Sequence, residues 1–479
     1  MVINKIKNMP IGAKAAIVYT LASVFSRGLA IITMPIFTRI MTTADIGYVN
    51  IYNSWHGILL IVATLATTSA GCHVAMKDFS EEKDQYISSV LTLTTLMSLF
   101  LLICYLLAPE MWENFTGLSA SMIVLMLVGF IFEPAREFWL IRQRYEYKYK
   151  NVAALMISTA LIATVVSIIV VLQLNSKGLS GIIAEGRLLA NNFIIILVAA
   201  IIWIYIFIKG KTFINLKYWK YSLVLSIPLI ANSVADQILN ISDRIMISRI
   251  ISDSATGIYG TLATVSALFT MVWSAINASF IPFLYQNIGK ENGKIKKYAN
   301  KLLGAYGLVA LFTTLVAPEI VKILATEEYY EAIYIMPPIA AGVFLISVEY
   351  MHSNILIYNK NSKCILFATI GGAVCNITLN AICIPIFGYM AAAYTTLFTH
   401  VVLAILQAAL ANRVHYKNNS EYAPYDERKI FIISSMISGL CLCAIPLYSI
   451  TWLRYLVIVL MVVIVAFFAY IMFKKKNKQ

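Results

Sequence analysis

Charge is scarce in this sequence. Only 13% of its 479 residues are Asp, Glu, Lys or Arg, whereas 60% are hydrophobic, and the mean hydropathy is +0.80. Too little polar surface remains to coat a water-soluble globule of this size, so the solvent is lipid. Cysteine is sparse and unpatterned: Cys72, Cys104, Cys364, Cys375, Cys383, Cys441 and Cys443 show no CxxC or Cys/His spacing. They read as reduced packing residues rather than metal ligands. No nucleotide-phosphate loop occurs. Long polar stretches are also missing, and the largest, roughly 286–299 and 412–429, are too short to bury a core. Any function must be carried by the helices. A cleavable leader is not expected, because the first apolar segment begins after Lys14, is long enough to span, and lacks a small-residue cleavage site.

What is present is apolar and repeated. Runs of about 20 apolar residues predict membrane spans near 15–38, 48–72, 87–108, 120–141, 152–174, 179–208, 221–249, 256–286, 300–323, 332–358, 364–385, 388–411, 430–449 and 451–473. The chain also matches itself at offsets of 209 to 210 residues. Arg39-Ile40-Met41-Thr42-Thr43-Ala44-Asp45-Ile46-Gly47 answers to Arg249-Ile250-Ile251-Ser252-Asp253-Ser254-Ala255-Thr256-Gly257, Ala108-Pro109-Glu110 to Ala317-Pro318-Glu319, and Gly178 to Gly388. The fold class that follows is an all-α integral membrane protein with about 14 transmembrane helices. Two six-helix lobes, residues 1–210 and 211–420, would form a parallel repeat, with two further helices in 421–479. Paired helical repeats are the usual architecture of alternating-access transporters, which bind substrate near the midplane between their halves.

The basic residues orient this arrangement. With a cytoplasmic N-terminus, 28 of the 37 Lys and Arg fall in cytoplasmic segments, including Arg142, Arg144, Lys294, Lys296 and Lys474, and only Arg39, Lys177, Arg249, Lys322 and Arg454 lie opposite. That asymmetry follows the positive-inside rule and places both termini on the cytoplasmic side of the cell inner (plasma) membrane. The net charge of +14 is thereby a topology signal with attraction to anionic membrane lipids, and nucleic acid is not an expected partner.

Four basic residues remain at membrane depth, all arginine: Arg27, Arg136, Arg187 and Arg244. A charge at the centre of a span costs roughly 2.5 to 3.5 kcal/mol on insertion scales, so such residues face a bundle interior or a wet cavity. Arg27 lies about 18 Å from each flank at about 1.5 Å per residue, which is the midplane. It shares a helical face with Tyr19 and Ser23, and Pro35 follows. The guanidinium suits planar, bidentate phosphate contact. A salt bridge that only fixes helix packing is the alternative.

The repeat partner of the first span carries a polar stripe of Asn232, Asp236, Asn240 and Asp243, widened by Ser233, Gln237 and Arg244. Against lipid this face would be costly, so it should line a water-filled cavity opposite Arg27 or form a buried seam. Glu133 and Glu137 flank Arg136 one helical turn apart and can neutralise it, while Glu185 and Arg187 are two apart and each need a partner elsewhere. Glu349 and His352 stand at i, i+3 in the tenth span. Ion-coupling candidates are Asp236, Asp243, Glu133 and Glu349, because desolvation moves a buried carboxyl toward the working range. His56, His73, His400 and His415 show no ligand spacing and read as packing or boundary residues; no catalytic or metal-binding set is found.

Ser26-Arg27, Pro35-Ile36-Phe37-Thr38-Arg39-Ile40-Met41 and Asp45-Ile46-Gly47-Tyr48 resemble the opening of the polysaccharide-biosynthesis membrane proteins, the Wzx-type oligosaccharide flippases. Asp243-Arg244-Ile245-Met246-Ile247-Ser248 with Gly257-Ile258-Tyr259 resembles the start of their second half. The resemblance implies a MATE-like fold around a central cavity. It implies translocation of a polyprenyl-diphosphate-linked oligosaccharide to the outer leaflet for O-antigen, capsule or related glycans. It places a first-helix cation, here Arg27, in the cavity, and gives no match for Arg136, Arg187 or Arg244. A polysaccharide polymerase and glycosyltransferases would be further partners.

The expected activity is therefore flipping rather than an enzyme reaction, without a cofactor and coupled to an H+ or Na+ gradient or to the membrane potential. The diphosphate and sugar would meet Arg27, Arg187, Arg244, Arg136, Ser23, Asn232, Gln237 and Asn240. A MATE-type cation or drug antiporter is the alternative that Asp236 and Asp243 keep open, and a lipid II flippase differs only in headgroup.

Overall fold

A computed structural model describes residues 11–68, 70–418 and 423–476. Among them sixteen α-helices follow one another: α1 Ile11–Ile40, α2 Thr43–Thr64, α3 Ala70–Asp78, α4 Lys83–Leu107, α5 Pro109–Thr116, α6 Ala120–Tyr145, α7 Tyr149–Ser176 and α8 Ile183–Gly210. Then come α9 Leu216–Ile250, α10 Asp253–Asn287, α11 Asn292–Leu324, α12 Met336–Tyr358, α13 Ser362–Phe387, α14 Ala391–Asn418, α15 Glu427–Cys443 and α16 Thr451–Lys476. No strand occurs among the described residues.

Ten of these helical stretches are long and apolar enough to cross a membrane, or up to twelve if two bent pairs each count as one span. The fourteen expected from apolar runs are not all reached by this measure. α2 carries Asp45, Asn50, Asn53 and His56 and is not one of the ten, and α16 qualifies only as a shorter apolar helix over Thr451–Ile464. The second span also stops earlier than its apolar run. Leu65 and Ala66 adopt left-handed backbone at φ 49° and 50°, ending α2 at Thr64, and the chain resumes as the short α3.

The surface is inverted relative to a protein made for water. Leu107 and Phe387 are 80% and 71% exposed, whereas Asn376, Asn380, Ser347 and Thr399 are wholly buried. Lipid rewards that distribution, since polar groups must find partners between helices and aliphatic ones need not hide.

The two loops that match in sequence share local chemistry. The Thr42 hydroxyl accepts from the Asp45 amide at 3.1 Å and the Asp45 carboxylate accepts from the Thr42 amide at 3.0 Å, a capping box that starts α2. Ser252, its counterpart, accepts the Ala255 amide at 3.1 Å at the start of α10.

Two compact units can be distinguished, Met1–Thr261 with Thr369–Tyr389, and Leu262–Ala368 with Met390–Gln479. In the first, α1 packs on α7, α8 is shared by α6 and α7, and α2 lies along α9. Its core includes Met76, Tyr86, Val90, Leu91 and Phe138. In the second, α12 is the central element, buried along almost its whole length and packed by α11, α14 and α15.

Candidate functional site

The first unit encloses a cavity of about 510 Å³ between α1, α2, α6, α7 and α8. Each helix reaches it through residues three or four apart, the spacing that puts side chains on one face. α1 supplies Ser23, Ser26, Arg27, Thr33 and Phe37; α6 supplies Arg136, Glu137, Leu140 and Arg144; α8 supplies Arg187, Asn191 and Ile195. Asn53 of α2 and Thr159, Thr164 and Ser167 of α7 complete the polar wall. Four guanidinium groups and one carboxylate therefore face this space, a formal surplus of three positive charges.

The Ser26 and Thr33 hydroxyls of α1 are occupied on their own helix. Ser26 donates to the Ala22 carbonyl at 2.9 Å and Thr33 to that of Leu29 at 2.8 Å. Arg27 is exposed to the cavity and makes no hydrogen bond or ion pair with any described residue. Its charge is left for something that enters.

The other three arginines are held by their surroundings. Arg136 donates from Nη2 to Glu137 at 3.1 Å, while its Nε is buried without a partner. Arg144 lies 5.9 Å over the Tyr19 ring, and its Nε is likewise buried and unpartnered. Arg187 stacks on Phe37 at 3.6 Å and reaches the Met41 sulfur at 3.6 Å. Aromatic and thioether neighbours fix a guanidinium without cancelling its charge.

Ser23, Arg27, Arg136 and Arg187 thus come together, as a common cavity requires. The polar stripe of α9 does not join them: Asn232, Asp236, Gln237, Asn240 and Arg244 are not part of this lining. Gln237 instead rests against Gly57 of α2, and Asn240 donates to the Asp236 carbonyl at 2.7 Å. The stripe is also not one face in function, because Asp243 turns into the protein. It accepts from Tyr259 at 2.6 Å and from Asn380 at 2.7 Å, and Asn376 receives bonds from Asn380 at 3.1 Å and Ser242 at 2.8 Å. Arg244 follows Asp243 on α9 and is half-buried.

The carboxylates find partners that sequence spacing did not suggest. Glu133 meets His56 Nε2 at 3.2 Å and leaves Arg136 to Glu137. Glu349 meets His400 Nδ1 at 2.8 Å, and His352 pairs with Glu427 at 3.2 Å rather than with Glu349 one turn away. His56, His352 and His400 are therefore hydrogen-bonding neighbours of carboxylates as well as packing groups. Glu185 accepts from Ser119 at 2.6 Å. Arg144 is the cavity residue that counting charges along the chain assigned to a loop; its i, i+4, i+8 relation to Arg136 and Leu140 was the available signal. Among the described residues, no cluster of three or more His, Cys, Asp or Glu is placed to hold a metal ion.

A room with a net positive wall, aromatic and amide faces and one guanidinium without a described partner is suited to an anion attached to a polar body. Comparison with known proteins shows which fold the helices share. The structure is similar to the lipid II flippase MurJ in an inward closed conformation, with TM-score 0.63 and 17% identity over 91% of this chain and 100% of that one. It is similar to an inward-facing multidrug resistance MATE family transporter of the MOP superfamily, with TM-score 0.58 and 14% identity over 84% and 96%. A MOP superfamily transporter from Pyrococcus furiosus gives TM-score 0.51 and 15% identity over 85% and 97%. No curated protein matches the chain in sequence. A MatE family model matches residues 228–382. A model described as Polysaccharide biosynthesis protein matches residues 13–288, more than half of the sequence, and the chain belongs to that family, built on the MATE-like fold it shares with MurJ.

Proposed function

We propose that this protein is a flippase that moves a polyprenyl-diphosphate-linked oligosaccharide from the cytoplasmic to the outer leaflet for surface polysaccharide synthesis. The observation that carries this reading is the arginine cavity, with Arg27 unneutralised among four guanidinium groups and one carboxylate. A diphosphate leaving water needs charge-assisted partners, because an unpaired anion in a low-dielectric space is very costly. The sugar would use the amides and hydroxyls of Asn53, Asn191, Thr164 and Ser167, and the polyprenyl tail would stay in lipid.

Movement is by rocking of the two repeat halves, 1–210 and 211–420, driven by an ion gradient or the membrane potential, with no chemical step on the substrate. The basic loops keep both termini cytoplasmic in the cell inner membrane. An exporter of organic cations is disfavoured by the surplus of positive charge in this cavity. Lipid II carries the same diphosphate, and the match to the polysaccharide biosynthesis family favours the oligosaccharide carrier over it.

The test is reconstitution into liposomes holding a fluorescent polyprenyl-diphosphate disaccharide, with the outward fraction read by quencher. Wild type should equilibrate the probe across the leaflets and Arg27→Ala should not; equal rates would remove Arg27 from the site.

A further inference from the structure

In the second unit His352 is buried on α12, and both of its ring nitrogens face acceptors. Nδ1 lies 2.8 Å from the Val348 carbonyl one turn back. A carbonyl only accepts, so Nδ1 carries a hydrogen. Nε2 lies 3.3 and 3.2 Å from the two carboxyl oxygens of Glu427 at the start of α15. A neutral imidazole has a single N–H, and Nδ1 has taken it. The bond to Glu427 therefore needs a further proton, on Nε2 or on the carboxyl itself. The pair holds one proton more than a neutral histidine beside a carboxylate.

The surroundings supply no other cation for Glu427. Asp426, next to it, accepts from the Lys429 amide at 3.3 Å and lies 3.0 Å from the Lys429 ammonium, and Lys296 of α11 adds to its positive surroundings. Glu349, one turn before His352, is taken by His400 of α14 at 2.8 Å. Asn412 of α14 lines the same space as the pair but is uncharged, and Tyr285 of α10 donates to the Asn354 carbonyl at 3.2 Å. Among the described residues no Lys or Arg is ion-paired with Glu427.

The pair stands beside a cavity of about 340 Å³ whose walls include Leu345, Val348, Val401, Ile430 and Phe431. Without the extra proton, the Nε2 lone pair would face a carboxylate next to these aliphatic groups, which is a costly arrangement. With it, the bond ties α12 to α15. Tyr425 makes a second tie, donating to the Met351 carbonyl at 3.1 Å with its ring edge-on to His352 at 5.5 Å. The Glu427 side chain is 35% exposed, so a proton can pass between the pair and water.

We propose that His352 and Glu427 form a proton-binding site that fastens the start of α15 to α12 when occupied and releases it when empty. Proton binding requires no lipid-linked substrate, so this site and the flippase reading stand or fall separately.

The experiment follows melting of the full chain in lipid nanodiscs from about pH 5 to about pH 9. A site that binds its proton more tightly folded than unfolded contributes stability at low pH and loses it as pH rises through the folded value. Wild type should therefore show a downward step in melting temperature as pH rises. In Glu427→Gln an amide donates to neutral Nε2 with no further proton, so the step should vanish while the melting temperature of the acid side is kept. Nitrogen NMR of wild type labelled at its five histidines, assigned against His352→Gln, should show the His352 signal shifting at the pH of the step. This titration is made on wild type, so it decides even where Glu427→Gln does not fold. A wild-type curve without a step, a step that survives in Glu427→Gln, or a His352 signal that does not move would each overturn the assignment.

Discussion

Gly47 and Gly257, 210 residues apart and equivalent in the internal repeat, pack backbone against backbone where α2 and α10 begin. A Cβ on Gly47 would run into the Asp253 carbonyl, and one on Gly257 into the Thr43 carbonyl. The neighbouring hydroxyls of Thr43 and Ser254 are hydrogen-bonded to each other. The two copies of the motif therefore meet at their own glycines, an approach only a residue without a side chain allows.

Gly47→Ala and Gly257→Ala should each destabilise the protein by about 1 to 3 kcal/mol through overpacking, with Val worse than Ala. Melting curves of the purified variants in detergent read this directly; unchanged melting in both would contradict the crossing.

Arg27→Ala should abolish glycan export while membrane abundance stays at the wild-type level. Arg27→Lys should restore only part, because an ammonium cannot make the planar two-point contact. Export assays beside quantitative immunoblots separate loss of function from loss of protein.

Asp243 behaves as a structural centre, tying α9 to Tyr259 of α10 and Asn380 of α13. Asp243→Asn should lower stability by about 1 to 3 kcal/mol, since one partner is left buried and unpaired. Glu349→Gln, which disturbs the His400 pair, should instead change how export depends on the proton or sodium gradient. Transport rates under imposed gradients check the second effect, and a Glu349→Gln rate with wild-type gradient dependence would assign Glu349 to packing.

A pH effect is expected outside the membrane. Glu146, just beyond α6, is pushed up by burial, but Lys148 at 2.6 Å and Arg142 at 3.0 Å outweigh this and hold its carboxyl below the usual value of 4.5. A lowered folded value means the stabilisation is complete above the unfolded pKa and is lost as pH falls below about 4.5 toward the folded one. Wild type should lose melting temperature in that window, and Glu146→Gln should lose less, by under about 1 kcal/mol for a pair at the surface.

Much of this was legible from local pattern. The helices follow from apolar runs, Arg27, Arg136 and Arg187 follow from charge where lipid forbids it, and Ser23 follows from sharing a helical face with Arg27. Arg144 was hidden because arginines near a helix end are common on the cytoplasmic side, and only its register with Arg136 separates it from Arg142. His56 and His400 were hidden because their carboxylates lie 77 and 51 residues away, a pairing that helix packing decides. The stripe on α9 showed that its residues need polar neighbours, but periodicity within one helix does not say which neighbour each will face, and Asp243 turned toward Tyr259 and Asn380.

The most direct measurement of the central claim is the leaflet distribution of polyprenyl-diphosphate-linked oligosaccharide in cells with and without this protein. Accumulation on the cytoplasmic leaflet in its absence, reversed by wild type and not by Arg27→Ala, is the predicted result. An unchanged lipid-linked pool in cells lacking the protein, with heightened sensitivity to organic cations, would contradict it and point to a drug exporter.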